Sequence, residues 1–290
     1  MTQTGYSENF FTGDDGLRLY YRDYPGKEDD RHPPVICLSG LTRNTEDFHD
    51  LAMRLSPSRR IISMDYRGRG RSDRDPDYRH YAPPVYMQDT LALMRHLGLE
   101  RAVFLGTSLG GLISMAIGAM MPEKAVAIIL NDIGPDVSED GRERIMEYVG
   151  RDRRYASWEE AAAAQKAMFS AAYPDYTDQD WLHVARSTFI RDEESGDLRL
   201  NYDLKLADAL REQAEAGDAP DLWALFAMLK DIPILCLRGS LSDVLSKETV
   251  ARMRQMHPGI EIVEIPNRGH VPDLSEPESI RAIDDFLSRH

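Results

Sequence analysis

The segment Gly106-Thr107-Ser108-Leu109-Gly110 constrains this chain more than any other. It follows the apolar run Ala102–Gly106 (AVFLG) and opens a stretch of small and apolar residues, Leu109–Met121, that stops before Pro122. A buried strand that turns at once into a helix accounts for all three parts. The turn is so sharp that its flanking positions tolerate little side chain, which explains Gly106 and Gly110. Ser108 is then lifted off the sheet edge with its hydroxyl exposed at a helix N-terminus, where the dipole and the free N–H groups favour negative charge. A chance glycine–serine turn would not carry the strand before it, the helix after it and a third glycine, Gly111.

The rest of the chain has the same alternating form. Pro34–Leu38 (PVICL), Ile61–Met64 and Val126–Leu130 (VAIIL) are further short apolar runs bounded by turns, as strands buried on both faces of a parallel sheet should be. Helical spacing lies between them at Asp47–Leu55 and at Val85–Leu97, the latter closing at Gly98. Before them, Tyr6–Thr12 and Leu17–Tyr24 flank the turn signal Gly13-Asp14-Asp15-Gly16 and read as a hairpin. From about Val137 to Lys230 the pattern is nearly all helix, clearest at Ala161–Ala164, Trp181–Ser187 and Leu204–Ala216. Alternation resumes with Ile234–Leu237 (ILCL), a helix at Lys247–Met256, a strand at Glu261–Ile265 and a helix at Ser279–Ser288. The expected class is α/β: a mostly parallel sheet with helices on both faces, formed by residues 1–136 and 231–290, with residues 137–230 inserted as a helical cap.

Composition narrows the partners. The chain has 290 residues, with 42% hydrophobic and 29% charged, so it can bury a large core and disorder is not the default. A formal net charge of −14 argues against nucleic acid or an anionic membrane as main partner. Cys37 and Cys236 each sit in an apolar run and read as buried strand thiols, neither a disulfide nor a metal site. The opening MTQTGYSENFFTGDDG lacks a basic stretch followed by a long apolar one, and no apolar run reaches the roughly 18 residues of a membrane span. A cytoplasmic protein with a small-molecule substrate is the expectation. No metal-ligand spacing and no cofactor motif is found, so neither a metal nor a cofactor is expected.

On these motifs the chain resembles the α/β-hydrolase superfamily, especially its members with a helical cap, from about Gly16 to the C-terminus. The resemblance implies a serine nucleophile, Ser108, activated by a histidine that a carboxylate orients, in the chain order Ser, acid, His. Asn267-Arg268-Gly269-His270 follows the last expected strand and resembles the loop carrying the catalytic base; the other histidines lie in polar loops, at the terminus or on helical segments. For the acid, Leu237-Arg238-Gly239-Ser240-Leu241-Ser242-Asp243 resembles the acid loop and puts Asp243 in the role. The rival is Asp132 in Asn131-Asp132-Ile133-Gly134-Pro135, where some members carry their acid; Asp243 is preferred, because Asp132 has a competing job as a turn residue. Two backbone N–H groups must receive the oxyanion. One is that of Leu109. The other comes from the loop after PVICL, where the family usually has His-Gly; this chain has Ser39-Gly40, so the glycine is kept and Leu41 N–H is the second donor. Asp65-Tyr66-Arg67-Gly68-Arg69-Gly70-Arg71-Ser72 resembles a structural loop of the family, and its arginines are read as scaffold.

These residues imply hydrolysis of a carboxylic ester, lactone or thioester through an acyl-enzyme. The same machinery also serves carbon–carbon bond hydrolysis of a diketone-like substrate. Dehalogenase and epoxide hydrolase chemistry is disfavoured, since those relatives carry Asp in place of Ser108. A non-catalytic receptor on this fold is the alternative from another class, and the loss of a triad member that would mark it is not seen. Trp158, Phe169, Tyr173, Trp181, Phe189, Trp223 and Phe226 lie in or at the end of the insertion, either as pocket lining or as plain core.

Overall fold

The structure, a computed structural model, describes residues 5–27, 32–217 and 220–290. Residues 1–4 of the stretch read for a leader and residues 218–219 of the insertion lie outside the described residues.

Eight strands form one sheet. In chain order they are β1 (Ser7–Thr12), β2 (Arg18–Tyr24), β3 (Val35–Leu38), β4 (Ile61–Met64), β5 (Ala102–Thr107), β6 (Ala125–Asn131) and, after the inserted region, β10 (Ile234–Gly239) and β11 (Glu261–Ile265). Across the sheet the order is β1-β2-β4-β3-β5-β6-β10-β11. The β1–β2 and β2–β4 pairs are antiparallel and every other pair is parallel. The expected hairpin is β1–β2, tied at its turn by Gly13 N–H to Leu17 C=O, 2.8 Å.

The strand period of two divides the core. Ile36, Phe104, Ile128, Leu130 and Cys236 point into one apolar cluster, and Val35, Cys37, Leu105, Ile129 and Leu235 into the other. Helices α2 (Pro83–His96), α3 (Leu109–Met120) and α9 (Lys247–Met256) bury Leu93, Ile113 and Met253 in the first cluster. Helices α1 (His49–Leu55) and α10 (Pro277–Leu287) bury Leu51 and Phe286 in the second. Both faces are therefore covered, which is why the strands read as unbroken apolar runs. Cys37 and Cys236 are free, buried on opposite faces, and burial pushes both thiols well above their ordinary pKa.

The region between β6 and β10 contains α4 (Glu139–Tyr148), α5 (Trp158–Phe169), α6 (Asp178–Thr188), α7 (Leu206–Ala216) and α8 (Leu222–Ala227). It is not all helix. β7 (Arg154–Tyr155), β8 (Phe189–Arg191) and β9 (Leu198–Leu200) form a second sheet in the order β7-β9-β8, with antiparallel pairs. Strands of two and three residues are too short to show alternation, so the helical reading of the whole stretch passed over them. α8 packs on α3, and the side chains that follow it, Leu229 and Ile232, close against Gly118.

Candidate active site

The parallel strands all end on one side, and three loops meet there. The first leaves β5. Ser108 has φ +51°, a left-handed conformation rare for a side-chain-bearing residue, and its peptide is held by Ser108 N–H to Asn131 C=O, 3.1 Å. A Cβ on Gly106 would lie 2.3 Å from the Gly110 carbonyl carbon, and one on Gly110 would lie 1.9 Å from the Leu38 oxygen. Backbone touches backbone on both sides of the serine, so glycine is required by contact.

The second loop leaves β6. Asp132 also has positive φ, +54°, and its side chain is fully buried. One carboxylate oxygen accepts Gly239 N–H at 2.8 Å; the other accepts the Ser242 hydroxyl at 2.6 Å. The third loop follows β11 and carries His270. Its Nδ1 lies 2.8 Å from Asp132 Oδ2 and its Nε2 lies 2.9 Å from Ser108 Oγ. Hydroxyl, imidazole and buried carboxylate thus stand in series, the arrangement that lets an imidazole withdraw a proton from a hydroxyl and be steadied as it becomes charged.

The expectation that Asp243 orients the histidine is corrected by this geometry. Asp243 turns away and pairs with Arg144 of α4, with Nη2 to Oδ1 at 2.9 Å and a second contact from Nε. Its neighbour Ser242 faces inward and holds Asp132. Asp132 does bend the chain, with its positive φ, and it presents its carboxylate to the imidazole as well.

Gly40 lies against Ser108, with its notional Cβ 3.8 Å from Ser108 Cβ. Leu109 heads α3, where first-turn N–H groups have no partner within the helix. In the absence of a histidine before Gly40, other groups brace the loop. Arg69 Nε donates to Leu41 C=O at 2.8 Å, Ser39 Oγ to Arg43 C=O at 3.2 Å, and Asn44 Nδ2 to Ser187 C=O at 2.9 Å. Arg67 is buried in a two-point pair with Asp89, 2.6 and 2.8 Å, and also meets Asp75 at 2.5 Å, which agrees with a scaffold role.

Two residues that hold the histidine loop carried no motif. Asn131 Nδ2 donates to Pro272 C=O at 2.9 Å. Tyr173, between α5 and α6, accepts Val271 N–H at 2.8 Å and donates to Val271 C=O at 3.0 Å. Burial pushes its phenol well above the ordinary value, so the hydroxyl keeps the proton it donates. Gly269 N–H adds a bond to Ala172 C=O, 2.7 Å. Tyr173→Phe leaves the Val271 amide without this acceptor and is expected to cost about 1–3 kcal/mol of stability in urea unfolding. Unchanged stability would show that the hydroxyl does not tie the loop.

A cavity of about 650 Å³ opens over Ser108 and His270. Phe169, Tyr173 and Trp181 line it; Trp158, Phe189, Trp223 and Phe226 do not, and Phe189 and Phe226 are buried core. Among the described residues, Asp15, Asp75 and His80 form one cluster of metal-ligand type, away from Ser108 and already engaged with Arg67. No helix among the described residues is long and apolar enough to cross a membrane.

Known proteins show the same arrangement of chain. The 3-hydroxybutyrate-oligomer hydrolase of Cupriavidus necator is 33% identical over 278 residues, 93% of each chain. The 2-(acetamidomethylene)succinate hydrolase of Mesorhizobium japonicum is 25% identical, over 88% of each. The crystal structure of an alpha/beta hydrolase from Novosphingobium aromaticivorans superposes with a TM-score of 0.92 at 44% identity, over 99% of each chain. Residues 35–283 match the model of the Alpha/beta hydrolase family. With the sheet order, the elbow and these matches in hand, the chain belongs to the alpha/beta hydrolase family and is a hydrolase.

Proposed function

We propose that this hydrolase cleaves carboxylic esters through an acyl-enzyme on Ser108, with His270 as general base and acid and Asp132 as the carboxylate that orients it. The observation that carries the reading is the pair of contacts Ser108 Oγ–His270 Nε2, 2.9 Å, and His270 Nδ1–Asp132 Oδ2, 2.8 Å, at the floor of the cavity. Ser108 Oγ attacks the ester carbonyl and passes its proton to Nε2. The oxyanion is received by the N–H groups of Leu109 and Leu41. Nε2 returns the proton to the departing alcohol. Water then gives its proton to Nε2 and attacks the acyl carbon, and the acid leaves as Ser108 recovers its proton.

The relative named for 3-hydroxybutyrate oligomers favours an ester bond over a carbon–carbon bond, because an oligomer of a hydroxy acid is joined by esters. The cavity volume is in the range that holds a small molecule. The insertion, residues 137–230, acts as a cap in this reading: its Tyr148, Phe169 and Tyr173 line the cavity, so it shapes the acyl pocket. The test is a hydrolysis screen over acyl esters of graded length, hydroxy-acid oligoesters, lactones, thioesters and a β-diketone. Oligoesters or short acyl esters are expected to turn over, and Phe169→Ala is expected to change the ranking of chain lengths. Turnover of the diketone alone would overturn the ester assignment, and turnover of nothing, with no labelling by a phosphonate, would support a receptor.

A further inference from the structure

Four arginines line the cavity: Arg43, Arg54, Arg144 and Arg153. Three are committed to carboxylates, Arg43 to Asp47 at 2.5 Å, Arg54 to Asp284 at 2.5 Å and Arg144 to Asp243 at 2.9 Å. Arg153 makes no ion pair among the described residues. Its one hydrogen bond runs from Nη1 to the Met168 sulfur, 3.1 Å. A thioether is a weak, uncharged acceptor, and a guanidinium has further N–H donors to place.

Gln165 is the second unpaired group. It is 5% exposed, lines the cavity and makes no side-chain hydrogen bond to any described residue. A buried amide is normally partnered, and one that faces a cavity without a partner is a place for a ligand. One helix links the two groups: Gln165 and Met168 are three residues apart on α5 and so share a face, and the Met168 sulfur accepts the hydrogen bond from Arg153. Around them the wall is apolar, with Ile145 and an edge-on pair of Tyr148 and Phe169, centroids 5.8 Å apart. Two cavity-lining carboxylates make no ion pair among the described residues, Asp50 on α1 and Asp180 of α6, whose Oδ2 is taken by Thr177, and neither is bonded to Arg153.

We propose that Arg153 and Gln165 bind a carboxylate on the substrate, which makes the substrate class esters that carry a free carboxylate beyond an apolar stretch. This rests on the reading of Ser108 as an ester-cleaving nucleophile. A single free guanidinium with one amide suits a monoanionic, planar, two-oxygen group, which Arg binds in a forked geometry.

Two matched series test it. One is ω-carboxyacyl p-nitrophenyl esters against acyl esters of equal length; the other is acetoxyalkanoic acids against their methyl esters. In at least one series, a carboxylate-bearing length is expected to exceed its neutral partner about tenfold to a hundredfold in kcat/KM, the range of a charge-assisted contact. Arg153→Leu is expected to bring that ratio to about one through KM, Gln165→Leu to lower it less, and Arg153→Lys to keep part of it. Melting temperatures close to wild type establish that the variants fold. Neutral esters preferred at every length in both series, or a preference that survives Arg153→Leu, would overturn the inference while leaving ester cleavage intact. If neither series is cleaved, binding of saturated α,ω-dicarboxylates of matching chain length to the wild-type protein by calorimetry decides the matter. Binding lost in Arg153→Leu supports the carboxylate site alone, and no binding overturns it together with the ester reading.

Discussion

Ser108→Ala is expected to lower turnover of the best ester by about 10⁶, the scale seen when the nucleophile of a serine triad is removed. The size follows from the position. Ser108 is the hydroxyl that His270 Nε2 reaches, at 2.9 Å, and its left-handed backbone is held between glycines whose added Cβ atoms would strike backbone. The other serines that line the cavity are engaged elsewhere: Ser187 Oγ donates to Val184 C=O at 3.1 Å, and Ser275 Oγ donates to the Asp273 carboxylate. Alanine removes the oxygen and leaves the fold, so the melting temperature should stay near wild type while kcat collapses. A variant that keeps more than a hundredth of wild-type turnover would place the nucleophile elsewhere.

Asp132→Asn is expected to cost about 10⁴ in kcat, because an amide in place of the carboxylate favours the wrong imidazole tautomer and cannot steady the imidazolium. Asp243→Asn is expected to change kcat by less than tenfold. Its carboxylate serves Arg144 across a partly exposed pair, with side chains 30% and 37% exposed, and such pairs contribute roughly 0–1 kcal/mol. The two variants are measured side by side on one ester, with circular dichroism to establish folding. Asp132 also accepts Gly239 N–H and the Ser242 hydroxyl, so its asparagine variant should lose stability as well, whereas Asp243→Asn should not.

The elbow was legible because its chemistry is local. Strand, turn, serine and helix occupy one continuous stretch, and every constraint on Gly106 and Gly110 comes from chain a few residues away or from the adjacent β3. His270 was legible for a similar reason, as the sole histidine in a glycine-containing loop after the last strand. The acid was not. β6 and β10 are neighbours in the sheet, so Asp132 and Asp243 both stand at the ends of adjacent strands, and spacing along the chain cannot say which carboxylate faces the imidazole. What decides it is Arg144, which draws Asp243 outward from α4, in a segment that carries no motif. The small sheet β7-β9-β8 was hidden by its length, and Tyr173 by its lack of any pattern beyond a single aromatic in a loop. Trp158, which composition alone ranked with the other aromatics of the insertion, packs against the core and does not line the cavity that Phe169 lines.

The rate at which a small fluorophosphonate modifies Ser108, followed by intact mass and peptide mapping, tests the series Ser108–His270–Asp132 without any assumption about the substrate. The account predicts one adduct, on Ser108, formed quickly in the wild-type protein and at a similar rate in Asp243→Asn, but slower by orders of magnitude in Asp132→Asn and in His270→Ala. A slow reaction in Asp243→Asn with a wild-type rate in Asp132→Asn, or an adduct that persists in Ser108→Ala, would contradict it.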